Sequence, residues 1–166
     1  MCHKLYFRCI LLFLLVTFLG CKRDKSDEVQ FVVPPHVIYE FREDPEFHSF
    51  NWGKDEDTAV FMIHPHPAGL SATMVEEMAD KTSALLEPQL KKSEGIKSVS
   101  RKVHDITAGC FSGREIDFKV VTTNGKTFYQ CIYVLWDGDR VWQGQLTGPT
   151  EDDLGMAHRI LQTKKK

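Results

Sequence analysis

Two histidines separated by one residue, His64 and His66, are the first candidates for chemistry in this sequence. In an extended segment this spacing places both imidazoles on one side, where they could share Zn²⁺ or Cu²⁺ with His48 or His104 as a third ligand. The proline after each histidine also predicts the end of a strand, because proline removes a donor from the ladder. No third ligand stands at a fixed spacing from the pair, so we expect an exposed turn, and we predict no bound metal or other cofactor.

A second group of residues could support catalysis. Glu115 and Asp117 stand two apart and could act as a carboxylate pair, and Cys110 with His104 could act as a thiol–imidazole pair. Carboxylates at such strand positions are usually solvated, and the sequence contains no nucleophile-elbow, zinc-protease, P-loop or Cys-x-x-Cys motif. We therefore expect a protein that is not an enzyme, with a hydrolase-type activity as the less favoured alternative.

One aromatic residue is the best candidate for contact with a partner. Trp136 directly precedes Asp137-Gly138, which marks the tip of a predicted hairpin. Exposed aromatic side chains contribute strongly to the energetics of interfaces. We therefore predict Trp136 as a partner contact, the alternative being that a helix covers it.

The first twenty residues predict an export signal. Lys4 and Arg8 precede an uninterrupted apolar run of twelve residues, 9–20. A transmembrane helix needs about 20 apolar residues, whereas a basic segment followed by about 7–15 apolar residues is typical of a signal peptide. We therefore assign residues 1–20 to a signal peptide.

The end of this segment, Phe-Leu-Gly-Cys at residues 18–21, resembles the lipobox of bacterial lipoproteins. In that family a cysteine after a small residue is acylated and becomes the mature N-terminus, which matches Gly20 and Cys21. Phe18 replaces the usual leucine and Leu19 the usual small residue. The resemblance implies lipid attachment at Cys21, and Lys22 implies the outer membrane, facing the periplasm. An uncleaved anchor or ordinary secretion is the alternative.

Composition and charge limit what the exported part can be. The chain has 166 residues, of which 42% are hydrophobic and 11% aromatic, enough for one compact domain. The formal net charge of -2 disfavours a nucleic-acid partner, because neutralising phosphates needs an excess of basic residues on one face. We assign residues 21–46 to the lipidated N-terminus and tether, and residues 47–166 to one folded domain.

Hydrophobic periodicity and turn residues predict a β-rich domain with two helices. A first hairpin is followed by a helix in which Thr73 and Glu76 match a capping box. Asn124-Gly125 and Asp137-Gly138 then join three strands into an antiparallel meander, and a second helix ends the chain. The fold class is therefore α+β. The predicted strands span residues 49–53, 58–63, 96–106, 114–122, 127–136 and 140–147, and the helices begin near residues 71 and 150.

The meander also assigns strand faces. With Asn124-Gly125 and Asp137-Gly138 each as the two residues of a tight turn, Phe118 lies opposite Cys131, and Tyr133 lies opposite Trp142 on the same face. Phe118 and its alternate neighbours then share the main core face with Cys131, while Glu115 and Asp117 fall on the opposite, mixed face.

The same register bears on the two cysteines of the domain. It places Cys131 eight residues along the strand from Cys110, about 26 Å at about 3.3 Å per residue. A disulfide needs Cα atoms within about 7 Å of each other. We therefore predict that Cys131 is a buried free thiol and that Cys110 is not bridged to it.

From residue 47 to residue 163 the sequence is similar to the PsbP-like superfamily. The similarity rests on residues 107–114 leading into a strand, the Asn124-Gly125 hairpin, the aromatic-rich segment 127–136 and Leu146-Thr147-Gly148 before the last helix. It implies an αβα sandwich that acts through protein contacts, and no ligand residue carries over. The expected function is a membrane-anchored lipoprotein whose domain binds a protein or envelope component. Periplasmic metal binding through His64 and His66 is the alternative.

Overall fold

Residues 31–165 are described by a computed structural model of the chain. They form one seven-stranded antiparallel sheet with an α-helix on each side, which confirms the predicted sheet, the helix after the first strands and the C-terminal helix. Within these residues, no helix has the length and apolar character needed to cross a membrane. The elements in chain order are β1 (Ile38–Arg42), β2 (Phe47–Trp52), β3 (Ala59–Pro65), α1 (Val75–Lys92), β4 (Ile96–Ala108), β5 (Phe111–Thr122), β6 (Thr127–Trp136), β7 (Val141–Gly148) and α2 (Asp152–Gln162).

The sheet joins two antiparallel meanders. Its strand order is β1-β2-β3-β7-β6-β5-β4, so the last strand of the second meander pairs with the last strand of the first. α1 connects the two meanders and begins after a short 3-10 turn rather than at the predicted capping box. Glu76 instead pairs with Arg114 on β5, their side-chain atoms lying 2.7 Å apart.

Both faces of the central strands are buried, because each face is covered by its own helix. Successive strand residues point to opposite faces, so one set packs under α1 and the other under α2. The core under α1 includes Ile116, Phe118, Val120, Ile132 and Val134. The core under α2 includes Phe50, Phe61, Tyr133, Leu135 and Trp142.

The fold begins before the predicted residue 47. β1 pairs with β2, and Phe31 and Val37 are buried in the core under α2. Four of the five residues of β1 are exposed, so this edge strand lacks the alternation that marks a strand in the sequence. Residues 31–46, which the prediction assigned to the tether, therefore belong to the folded domain.

The predicted register between β5 and β6 is wrong by one residue. Phe118 pairs with Gln130 rather than with Cys131. The amide of Thr122 donates to the carbonyl of Lys126 at 2.9 Å, so the loop has three residues and Gly125 takes a left-handed conformation with φ 82°. A slip of one residue exchanges the two faces of a strand, so Glu115 and Asp117 lie on the same face as Cys131.

Candidate functional site

Five titratable side chains meet on the sheet beneath α2. Glu115 and Asp117 on β5 lie directly opposite Tyr133 and Cys131 on β6, and His158 reaches them from α2. Glu115 is 4% exposed, and Cys131 and Tyr133 are fully buried. We call Glu115, Asp117, Cys131, Tyr133 and His158 the carboxylate–thiol cluster. The prediction placed the two carboxylates on the mixed face, apart from the thiol, and the structure shows that this is wrong.

Glu115 is the centre of this cluster. Its two carboxylate oxygens lie 2.9 and 2.8 Å from Nε2 of His158. The Tyr133 hydroxyl donates to Oε1 of Glu115 at 3.4 Å, and the Cys131 thiol donates to the same atom at 3.7 Å. The hydrogen bond with Glu115 raises the pKa of His158 although partial burial lowers it, so the imidazolium form is favoured beside the carboxylate.

Asp117 lies beside Glu115 and is held from one side only. Its Oδ2 is 3.2 Å from Nε2 of His104, while its Oδ1 is buried without a hydrogen-bond partner among the described residues. Burial and the neighbouring Glu115 carboxylate raise the pKa of Asp117, although the Cys131 thiol and His104 beside it act in the opposite direction. A buried carboxylate oxygen without a donor is uncommon and requires a physical explanation.

The thiol in this cluster is not activated as a nucleophile. Burial raises the pKa of Cys131 strongly, and the carboxylates of Asp117 and Glu115 raise it further. Burial likewise raises the pKa of Tyr133. Because the thiolate is the reactive form, the buried thiol at neutral pH acts as a hydrogen-bond donor, in the absence of a cation that would stabilise the anion.

The cluster contains the donor atoms of a metal site. One ligand atom each from Glu115, Asp117 and Cys131 lies within 4.8 Å of the others. A shallow cavity of about 100 Å³ opens beside Asp117, and Lys102 and Glu151 are among the residues that line it. The cluster is therefore reached from solvent at the Asp117 side.

The predicted histidine pair lies on the opposite face of the sheet. The rings of His64 and His66 are 5.5 Å apart, with Nε2 of His66 3.0 Å from Oε1 of Gln143. β3 continues through Pro65, which pairs with Trp142, so the two histidines are half-buried at a strand end and the expected exposed turn is wrong. Burial lowers the pKa of both rings, and His66 lowers that of His64 further.

The two suggested third ligands lie away from this pair. His48 is fully buried under α2, where its Nδ1 lies 2.9 Å from the Tyr39 hydroxyl. His104 pairs with Asp117 on the carboxylate–thiol cluster, so it is joined neither to His64 and His66 nor to Cys110.

Trp136 and the histidine pair belong to the same surface. Trp136 pairs with Val141, whose carbonyl accepts a hydrogen bond from the His66 amide at 2.7 Å. In the next row Gln143 of β7 pairs with His64, and in the one after that Gln145 pairs with Met62. Within residues 31–165, α1 packs mainly on β4, β5 and β6. The main contacts of this helix therefore do not include β3 and β7, which carry His64 and the two glutamines. We call Trp136, Met62, His64, His66, Gln143 and Gln145 the polar sheet face. The two glutamines are buried, and the other four residues are half-buried.

The remaining predictions concern the exposure of Trp136 and the state of the cysteines. Trp136 is half-buried and packs against the core under α1, so it is neither fully covered nor fully exposed. Cys110 and Cys131 are both free and Cys131 is buried, as predicted, although Cys131 faces Asp117 and not Phe118. Cys21 lies outside the described residues, and its acylation stays a prediction.

His158 was not identified from the sequence. It follows Leu154 by four positions on α2, and Leu154 packs against the core, so helical spacing places both on the side of the helix that faces the sheet. Its partner Glu115 lies 43 residues earlier in the chain and could be recognised only with the correct register. Comparison of the chain with models of known protein families and with curated protein sequences found no match.

Proposed function

We propose that this protein is a lipoprotein of the bacterial cell envelope whose PsbP-like αβα domain binds a protein or another envelope component without catalysing a reaction. The proposal takes its anchor from the sequence, in which a signal-like segment ends at Gly20-Cys21. It takes its binding surface from the polar sheet face. A lipid anchor formed by several acyl chains holds a water-soluble domain at a bilayer far more tightly than one chain does.

The short tether restricts where a partner can be. Nine residues separate Cys21 from Phe31, which is 6% exposed and packs against Phe50 with ring centroids 5.2 Å apart. A fully extended chain of this length reaches about 35 Å. Acylation at Cys21 would therefore hold the domain next to the membrane surface, and the partner would be a component of that surface or a protein bound to it.

The observation that carries the binding function is the composition of the polar sheet face. Its four half-buried side chains are one indole, two imidazoles and one thioether, and none of them is a carboxylate, an ammonium or a guanidinium group, while Gln143 and Gln145 are buried beneath them. Centres of protein interfaces are depleted in charged residues and enriched in aromatic residues and methionine. Trp136 gives this surface its largest aromatic side chain, and Val141 lies between it and His66 in the same row of the sheet.

The anchor is tested by replacing Cys21→Ser in the full-length chain expressed in a bacterium. We expect the variant to lose incorporation of labelled fatty acid and to leave the membrane fraction, because the acylated sulfur is missing. Cys110→Ser is the matched control and should keep both properties. Unchanged labelling and fractionation in Cys21→Ser would refute the anchor.

The binding surface is tested by crosslinking in intact cells. We expect Trp136→Ala to lose a crosslinked partner that the unaltered protein captures, while its thermal unfolding still shows one cooperative transition. Leu85→Ala is the control, because Leu85 is a large apolar side chain that is 68% exposed on α1, outside the polar sheet face. A partner retained by Trp136→Ala and lost by Leu85→Ala would move the contact to the helix.

A further inference from the structure

We propose that the carboxylate–thiol cluster binds one divalent transition-metal ion of the zinc class, with Cys131, Glu115 and Asp117 as its ligands. The site is separate from the polar sheet face, because it lies on the other side of the sheet, under α2. It is also separate from the histidine pair that the sequence suggested for metal binding. This inference therefore does not depend on the anchor or on the binding surface.

The donor atoms are already near the separations that a tetrahedral ion requires. Zinc lies about 2.3 Å from a thiolate sulfur and about 2.0–2.2 Å from a carboxylate oxygen, which puts sulfur and oxygen about 3.6 Å apart. Sγ of Cys131 is 3.7 Å from Oε1 of Glu115, and the three ligand atoms all lie within 4.8 Å of one another. Small side-chain rotations would bring them to the ion without moving the strands.

The unpaired Oδ1 of Asp117 is a second observation that favours a bound ion. This Oδ1 is buried and has no hydrogen-bond partner within residues 31–165, whereas Oδ2 of Asp117 is held by His104. Binding of an ion or a water molecule is one of the few explanations for a buried polar atom of this kind. A cation between Oδ1 and the neighbouring Cys131 thiolate would satisfy both groups, and the cavity beside Asp117 would let water occupy the fourth position.

The surrounding residues resemble the second layer of a metal site. Ligating carboxylates are usually fixed by hydrogen bonds to further side chains. Here His158 and Tyr133 hold Glu115, and His104 holds Asp117. His158, Tyr133 and His104 therefore orient both carboxylates in the absence of an ion.

The charges of the cluster favour a divalent cation. Two carboxylates and a thiolate together carry three negative charges, which a divalent ion and the imidazolium of His158 neutralise. A thiol that ligates a metal ion is deprotonated, so binding would release the proton of Cys131. The sulfur ligand favours zinc-class ions over Ca²⁺ and Mg²⁺, which prefer oxygen ligands.

The test uses Co²⁺ as the probe, because a thiolate–cobalt bond gives a charge-transfer absorption that an oxygen or nitrogen site lacks. Full-length protein is purified with a chelator, dialysed and titrated with Co²⁺. We expect the charge-transfer band to saturate at one equivalent and to be displaced by Zn²⁺. Cys131→Ser should lose the band, and Cys110→Ser, the matched control, should keep it.

Two further variants make every outcome decisive. Asp117→Asn should weaken Co²⁺ binding by more than about tenfold, and because Asp117 lies at the solvent side, it tests the site even if Cys131→Ser does not fold. The double variant His64→Gln, His66→Gln should leave Co²⁺ binding unchanged. A band that is absent at one equivalent, or that Cys110→Ser alone abolishes, would overturn the proposal. Binding that is lost only in the histidine variant would move the ion to the polar sheet face and would also overturn it.

Discussion

Asp137 gives the sharpest test of the structure, because its carboxylate joins the tip of the β6–β7 hairpin to the C-terminus. Oδ1 accepts hydrogen bonds from the amides of Asp139 and Arg140 at 2.9 and 2.8 Å. Oδ2 accepts from Nε1 of Trp142 at 2.7 Å and from the ammonium of Lys164. The Asp137 side chain is 5% exposed, so solvent screens these interactions only weakly.

The size of the effect follows from the pKa of this carboxyl. Burial by itself raises the pKa of Asp137, but the hydrogen bonds from Lys164 and from the two backbone amides outweigh it and lower that pKa from 3.8 to about 2. One pKa unit corresponds to about 1.4 kcal/mol, so the charged form adds about 2 kcal/mol to the free energy of unfolding. Because the folded value lies below the unfolded value, this stability is complete above about pH 5 and is lost as the pH falls through 2.

Asp137→Asn removes the charge and keeps the shape. We expect urea denaturation to show the variant less stable than the unaltered protein by about 2 kcal/mol at pH 7, by roughly half of that at pH 3, and by well under 1 kcal/mol at pH 2. Asp139→Asn in the same turn is the control. It should change the free energy of unfolding little at any pH, because the Asp139 side chain is 85% exposed. A difference that stays constant from pH 7 to pH 2 would refute the electrostatic explanation.

Further predictions concern the two ends of the described chain. Lys164→Met should lower the free energy of unfolding by about 1–3 kcal/mol, because the ammonium lies 4.4 Å from the centre of the Trp142 ring and donates a hydrogen bond to Asp137. Lys165→Met is the control and should leave the free energy of unfolding unchanged in the same denaturation assay. Phe31→Ala should cost about 3 kcal/mol if the domain begins at residue 31, whereas Val32→Ala, at a position 55% exposed, should cost less than about 0.5 kcal/mol. Equal effects at residues 31 and 32 in thermal or urea unfolding would contradict the extended domain.

Much of the fold could be predicted from local signals in the sequence. The dipeptides Asn124-Gly125 and Asp137-Gly138 located the hairpins, since glycine readily takes the left-handed conformation that both turns contain. The β6–β7 pairing differs from the prediction by two residues, Trp142 lying opposite Leu135 and not Tyr133. Because two is the period of a strand, the predicted faces of β6 and β7 are still confirmed.

The carboxylate–thiol cluster could not be predicted in the same way. A loop of three residues instead of two moved Glu115 and Asp117 to the other face of β5 and set them beside Cys131. Loop length depends on the fit of the strands to the whole sheet and its two helices, and the dipeptide alone does not determine it. His158 entered the site only through the docking of α2.

The sequence by itself determined the number and order of most elements, the hairpin positions and the two helices, because turn propensity and hydrophobic periodicity act over a few neighbouring residues. It also carried the whole of the predicted anchor, from the apolar run to Cys21. The tertiary structure alone decided that Glu115, Asp117, Cys131 and His158 meet, and that Trp136 shares a face with His64 and His66. These juxtapositions join residues far apart in the chain, and strand register and helix docking, which are set by packing of the complete core, bring them together.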